Sequence, residues 1–213
     1  MMQNIAMTLL NLGAVQFRPE NPYTWSSGIK SPIYCDNRLL MSDVDGRKQT
    51  TAALEGAIKE LGHIDVIAGT ATAGIPHAAW VADRMELPMI YVRSSSKKHG
   101  KQNLIEGQLH RGQKVVIVED LLSTGGSAIA AAKAVEEAGG EVVAIVAIVT
   151  YDLPILAERK KNLPYQVLAL THFDTIVQKA VERADLTEKQ AKEVLAWKAS
   201  LQMEANREEI FSS

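Results

Sequence analysis

The sequence predicts an α/β fold: a central, mostly parallel sheet flanked by helices, with a small N-terminal hood or flap. Three observations carry this. The apolar runs in the middle of the chain are continuous rather than alternating, which suits strands buried on both faces. Helical patterns fall between those runs, giving the strand–helix–strand order of right-handed crossovers. The loops rich in small and hydroxylated residues follow strands, and ligands of such folds sit at the strands' carboxyl ends.

The elements follow in order. Ile5, Leu9 and Leu12 have helical spacing and predict a short amphipathic helix at the N-terminus. Residues Phe17 to Met41 are rich in Pro, Ser, Tyr and Trp and read as an irregular or β-containing flap. "IDVIAG" (64–69) reads as a strand and "IPHAAWVADRME" (75–86) as a helix that tolerates Pro76 in its first turn. "PMIYVR" (88–93) and "KVVIVED" (114–120) are the next strands. A helix "SAIAAAKAVEEA" (127–138) stops at Gly139 and Gly140, followed by strands "EVVAIVAIVTY" (141–151) and "YQVLALT" (165–171). From Leu186 a last helix is expected. Thr187 and Gln190 form its capping box, and Val194, Leu195 and Leu201 its apolar face.

Composition narrows the class. The 213 residues are 46% hydrophobic and 23% charged, which predicts one globular domain. Its parts are a hood over about residues 1–45, an α/β core over about 46–172 and C-terminal helices over about 173–213. A formal net charge of -2 argues against nucleic acid or an anionic membrane as partner. Cys35 is the one cysteine, so no disulfide forms within the chain and a reducing, cytoplasmic setting is expected. The first residues lack a signal peptide's basic region, and no apolar run approaches the roughly 20 residues of a membrane span.

Chemistry concentrates in three stretches. In "VVIVEDLLSTGGS" (115–127) a strand delivers Glu119 and Asp120, and the loop then gives Ser123, Thr124, Gly125, Gly126 and Ser127 before a helix. Small residues let backbone N–H groups close on an anion, and the helix N-terminus adds its positive end. The acids would repel that anion; they suit the hydroxyls of an attached sugar, or a divalent cation beside it. The plainer reading is a solvated strand end with Ser127 as helix cap. "GTATAG" (69–74) also joins a strand to a helix, but lacks the Lys and Ser/Thr of a Walker loop, leaving a second anion cradle or a plain turn. "RSSSKKHGKQN" (93–103) packs Arg93, Lys97, Lys98, His99 and Lys101 among serines and Gly100. Without apolar periodicity it reads as a mobile lid able to close over a polyanion, or else as a solubilising loop.

Together these stretches resemble the type I phosphoribosyltransferases, whose phosphoribosyl pyrophosphate (PRPP) signature "VVIVEDLLSTGGS" is similar to. "WSSGIKSPIYCDNR" (25–38) and "RSSSKKHG" resemble the orotate phosphoribosyltransferase family. The likeness runs from about Phe17 to Tyr151. It implies transfer of the phosphoribosyl group of PRPP to orotate, giving orotidine 5'-monophosphate (OMP) and pyrophosphate, in pyrimidine synthesis. It also implies Mg2+ carried with PRPP and a homodimer whose lids complete the neighbour's site; no side chain is assigned as a direct metal ligand. Carried over, Glu119 and Asp120 hold the ribose hydroxyls. The segment Leu121, Leu122, Ser123, Thr124, Gly125, Gly126 and Ser127 binds PRPP, its 5'-phosphate at 123–127. Arg93, Lys97, Lys98 and His99 bind pyrophosphate, with residues 69–74 as its loop. Arg93, Lys97, His99 and Asp120 are then the catalytic set. Orotate falls to Ser123, Lys30 and the backbone near Tyr34 and Cys35, with Arg38 as another candidate or a structural ion pair. One branch of the family has Lys where Ser26, Ala73 and Ser94 stand here, so no catalysis is assigned to those positions. Rival readings are a phosphoribosyltransferase for another base, a PRPP-sensing regulator and a PRPP synthetase. The first is opposed by the flap. The second is opposed by the lid and by the absence of a helix-turn-helix pattern.

Overall fold

The computed structural model describes residues 2–24, 30–94 and 104–211, with side chains over 5–24, 30–94 and 104–200. The N-terminal part holds α1 (Met2–Asn11), the short strands β1 (Val15–Phe17), β2 (Tyr23–Thr24), β3 (Lys30–Ser31) and β4 (Ile33–Cys35), and a 3-10 turn (Asn37–Met41). The middle holds α2 (Val44–Lys59), β5 (Val66–Thr70), α3 (Gly74–Met85), β6 (Met89–Val92), β7 (Ile105–Glu106), β8 (Lys114–Leu122), α4 (Gly126–Glu137) and β9 (Glu141–Thr150). After it come α5 (Pro154–Lys160), β10 (Gln166–His172), α6 (Phe173–Glu182) and α7 (Glu188–Phe211).

A six-stranded sheet has the order β10-β9-β8-β5-β6-β7. It is parallel except for the last pair, β6 with β7. The continuous apolar runs are explained by burial on both faces. On β8, Val116 and Val118 enter one core with α1, α2, α3 and α6, while Val115 and Ile117 enter the other with α4. All four are fully buried, each such side chain contributing about 1.5–3 kcal/mol. With no polar alternation, the periodicity cannot distinguish strand faces, only that both are covered.

The expected strands and helices all appear, and β8 extends two residues further than read, through Leu121 and Leu122. Three elements carried no expectation, α2, α5 and the short β7, while α6 falls in the span expected to hold C-terminal helices. The helix after the glycine-rich turn is capped by Gly125 in the left-handed conformation, φ +77°; Ser127 lies inside its first turn and is not the cap. The capping box at the start of α7 is formed, with the Gln190 N–H donating to Thr187 Oγ1 at 3.2 Å and the Thr187 N–H to Gln190 Oε1 at 3.0 Å. Val194 is buried there, but Leu195 faces solvent at 38% exposure; the side chain of Leu201 lies outside the described residues. Trp197 Nε1–H donates to the Lys30 carbonyl at 2.9 Å, fastening α7 to the hood. Among the described residues no helix is long and apolar enough to cross a membrane.

Helix α3 starts in tight contact with the central strand. A Cβ on Gly74 would lie 2.5 Å from the Val118 carbonyl oxygen, a backbone atom with nowhere to retreat. Gly74→Ala therefore destabilises the fold by roughly 3 kcal/mol. Denaturant unfolding measures this, and a loss near zero would mean that α3 moves aside freely.

Candidate active site

The strand order brings separate loops to one edge. β5 and β8 are parallel neighbours, so the turn after β5 and the turn after β8 emerge side by side. Ala71, Thr72 and Ala73 from the first, with the run from Glu119 to Ala128 from the second, line one cleft of about 270 Å3. A second cavity of about 310 Å3 lies against it, lined by Thr70, Ala71, Val92, Arg93, Ser94, Leu104, Gly126 and Ser127 among others. The two share Ala71, Gly126 and Ser127. A larger groove of about 360 Å3 between α1 and α2 holds none of the predicted residues, so volume alone does not mark the site.

The acid pair lies within β8, which continues through Leu121 and Leu122, rather than in the loop beyond it. Glu119 is buried, 6% exposed, while Asp120 is half-buried in the cleft. The Asp120 N–H donates to Glu119 Oε1 at 3.0 Å. Burial first, then the adjoining Asp120 carboxyl, push the Glu119 carboxyl up to about 9, so the ligand-free protein holds a proton there at neutral pH. The unfolded chain releases that proton near the ordinary carboxyl value. The site's contribution to stability is thus complete below about 4.5 and is lost as pH rises through about 9. Glu119→Gln should gain stability relative to the parent as pH rises across that window. Thermal unfolding at several pH values measures it; a constant difference would mean that Glu119 ionises freely.

The turn after β8 has the features of an anion cradle. The amides of the first turn of α4, Gly126 to Ala128, have no intrahelical acceptor. Thr124 Oγ1 approaches the Gly126 N–H at 3.5 Å, the outer limit of a hydrogen bond. Ser123, Thr124, Gly125, Gly126 and Ser127 all line the cleft. Leu121 and Leu122 line it too, but the Leu122 side chain is buried in the α4 core, leaving main chain to offer a ligand.

The hood meets this edge through Asn37, a residue that sequence reasoning missed. Asn37 is 2% exposed, and its Nδ2 donates to the Asp120 carbonyl at 2.8 Å. Cys35 Sγ lies 3.5 Å from Asn37 Oδ1. Burial, with Asp120 and Asp36, pushes the Cys35 thiol far up, so it is no nucleophile. Hydrogen bonds from the Asp36 N–H to Ala14 and from the Arg18 N–H to Pro32 set the alternation of the β1–β4 ladder. Tyr34, paired with Gln16, falls in the hydrogen-bonded register, and the Cys35 N–H points away from β1. Of the two backbone candidates for orotate, Cys35 thus has the amide free of the ladder. Arg38 forms a two-pronged pair with Asp36, at 2.6 and 2.9 Å, which is the structural ion pair foreseen for it. Lys30 is exposed on β3, and Tyr34 packs against Tyr23 with ring centres 5.4 Å apart.

Arg93, at the end of β6, has Nη1 3.5 Å from Glu106 Oε1. Lys97, Lys98, His99 and Lys101 of the lid, with Trp25 and Ser26 of the flap, lie outside the described residues. His77 was read only as part of a helix. It is 2% exposed on the first turns of α3, its Nδ1 without a hydrogen-bond partner among the described residues, and burial pushes it down to about 4, a neutral ring near Asp120. Arg159 on α5 was also missed, and its Nη1 donates to the Thr124 carbonyl at 2.9 Å. Asn37 lies inside the flap stretch 25–38 but was given no role there, and His77 and Arg159 belong to none of the stretches singled out, so only their contacts reveal them.

A parallel sheet presenting a pair of acidic side chains and a glycine turn at a helix N-terminus in one cleft has the architecture of a type I phosphoribosyltransferase. The pattern of the phosphoribosyl transferase domain family matches residues 47–186. An orotate phosphoribosyltransferase of Bacillus mycoides is 50% identical over 206 residues, covering 96% of this chain and 98% of that protein. The chain belongs to the orotate phosphoribosyltransferase family. Among solved structures, orotate phosphoribosyltransferase from Aeropyrum pernix is 28% identical, with a TM-score of 0.71, covering 82% of this chain and 97% of that one. Leishmania donovani UMP synthase is 29% identical with a TM-score of 0.78; the likeness covers 93% of this chain but 42% of that longer one.

Proposed function

We propose that the protein transfers the 5-phosphoribosyl group of PRPP to orotate, giving OMP and pyrophosphate in pyrimidine synthesis. Family membership supports the reaction. One observation carries the assignment of residues: the turn after β5 and the acid pair with its glycine turn enclose a single cleft. Glu119 and Asp120 together take the ribose 2'- and 3'-hydroxyls, and 123–127 take the 5'-phosphate. The Ala71–Ala73 turn, Arg93 and the lid residues Lys97, Lys98 and His99 take pyrophosphate. Orotate lies between Ser123 and the hood, near Lys30, Tyr34 and the Cys35 amide.

Breaking the bond from ribose C1 to pyrophosphate leaves positive charge on the ring and negative charge on the leaving group. The Asp120 carboxylate faces the first, and the lid cations face the second. No covalent nucleophile is required. Among the described residues no three acids, histidines or cysteines gather as a metal cage. The cleft offers Asp120 and hydroxyls, which fits Mg2+ held chiefly by phosphate oxygens and water. When bound, Mg2+ neutralises pyrophosphate charge. The protein works as a homodimer in the cytoplasm, each lid closing over the partner's cleft.

Loss of orotate absorbance with PRPP, measured with and without Mg2+, tests the reading. Orotate should be consumed in a Mg2+-dependent way. Turnover of hypoxanthine or uracil with orotate untouched would overturn it.

A further inference from the structure

Helix α5 braces the glycine turn at two points one helical turn apart. Leu156, 3% exposed, fills the space beside Gly125: a Cβ there would lie 2.6 Å from Leu156 Cδ1. Arg159, three residues on and half-buried, donates from Nη1 to the Thr124 carbonyl at 2.9 Å. The same Nη1 lies 3.5 Å from where a Gly126 Cβ would be. Among the described residues Arg159 has no acidic partner; its recorded acceptor is this carbonyl.

The carbonyl of Thr124 and the N–H of Gly125 belong to one planar trans peptide, so they point in opposite directions. Gly125 is a glycine at φ +77°, a residue with little intrinsic preference between the two orientations of that peptide. If the peptide turned over, the Thr124 oxygen would face the cleft and repel an anion, and the Gly125 N–H would be lost to it. A guanidinium holding the oxygen outward selects the orientation with the N–H turned the other way. We infer that Arg159 is a positioning residue for the phosphate turn, fixing the Thr124–Gly125 peptide so that its N–H serves the ligand's phosphate. This rests on the reading of 123–127 as the 5'-phosphate turn.

The test compares OMP with orotidine, which lacks the phosphate, by calorimetric binding to the parent protein, Arg159→Gln and Arg159→Lys. The parent should bind OMP far more tightly than orotidine. Arg159→Gln should weaken OMP roughly ten- to a hundredfold while leaving orotidine unchanged, since bonds involving a charged group are at stake. Arg159→Lys, which keeps the charge but not the planar fork, should fall between. In turnover, KM for PRPP should rise more than kcat falls. Equal weakening of both ligands in either variant would make Arg159 a scaffold residue and overturn the inference. An unchanged OMP affinity would also overturn it. A parent protein indifferent to the phosphate would instead refute the reading of the turn itself, and the inference with it.

Discussion

Asp120→Asn should lower turnover by roughly a hundredfold or more while leaving the thermal midpoint close to the parent's. The asparagine keeps the shape of the side chain. It also keeps the two main-chain bonds at this residue, to Asn37 Nδ2 and to Glu119 Oε1. What it removes is negative charge in a half-buried cleft where the ribose ring becomes positive. Such charge acts most strongly in the transition state, so kcat falls more than binding weakens. Steady-state kinetics with orotate and PRPP, beside a thermal melt, separate the two. A parental rate in a folded variant would show that the carboxylate does not face the reacting ring.

Lys97→Ala should have a comparable effect on turnover, because a cation on departing pyrophosphate is worth roughly a hundred- to a thousandfold. The lid is a loop by its sequence, so the fold should tolerate the change. Mixing the variant with Asp120→Asn subunits then reports where the lid acts. If lids cross the dimer, a mixed dimer contains one cleft with Asp120 and a parental lid. Equal mixing should therefore recover about a quarter of parental activity by random association. Verified mixed dimers without activity would place each lid over its own cleft.

Much of the site was legible because its chemistry is local. Glu119, Asp120 and the run to Ser127 are consecutive, so one strand and one turn carry them wherever the rest of the chain goes. The continuous apolar runs gave the parallel sheet for the same reason: Val115 to Val118 serve both cores at once. Helices α2, α5 and α6 left weaker traces. Helix α5 is seven residues long, with Leu156 its one buried residue, too short for periodicity to register. Ser127 looked like a helix cap by residue type, but Gly125 takes that place because the left-handed conformation there costs glycine least.

The sequence by itself determined the class of fold, the acid pair, the glycine turn and the basic composition of 93–103, since each depends on neighbours within a few residues. Only the tertiary structure decided which loops share a cleft. β5 and β8 lie about fifty positions apart in the chain but side by side in the sheet, an adjacency set by strand order rather than by either segment. It also decided that burial raises the Glu119 carboxyl's hold on its proton, that Asn37 ties the hood to Asp120 and that Arg159 holds the Thr124 carbonyl. Those properties arise from burial and from partners distant in sequence, which no local pattern records.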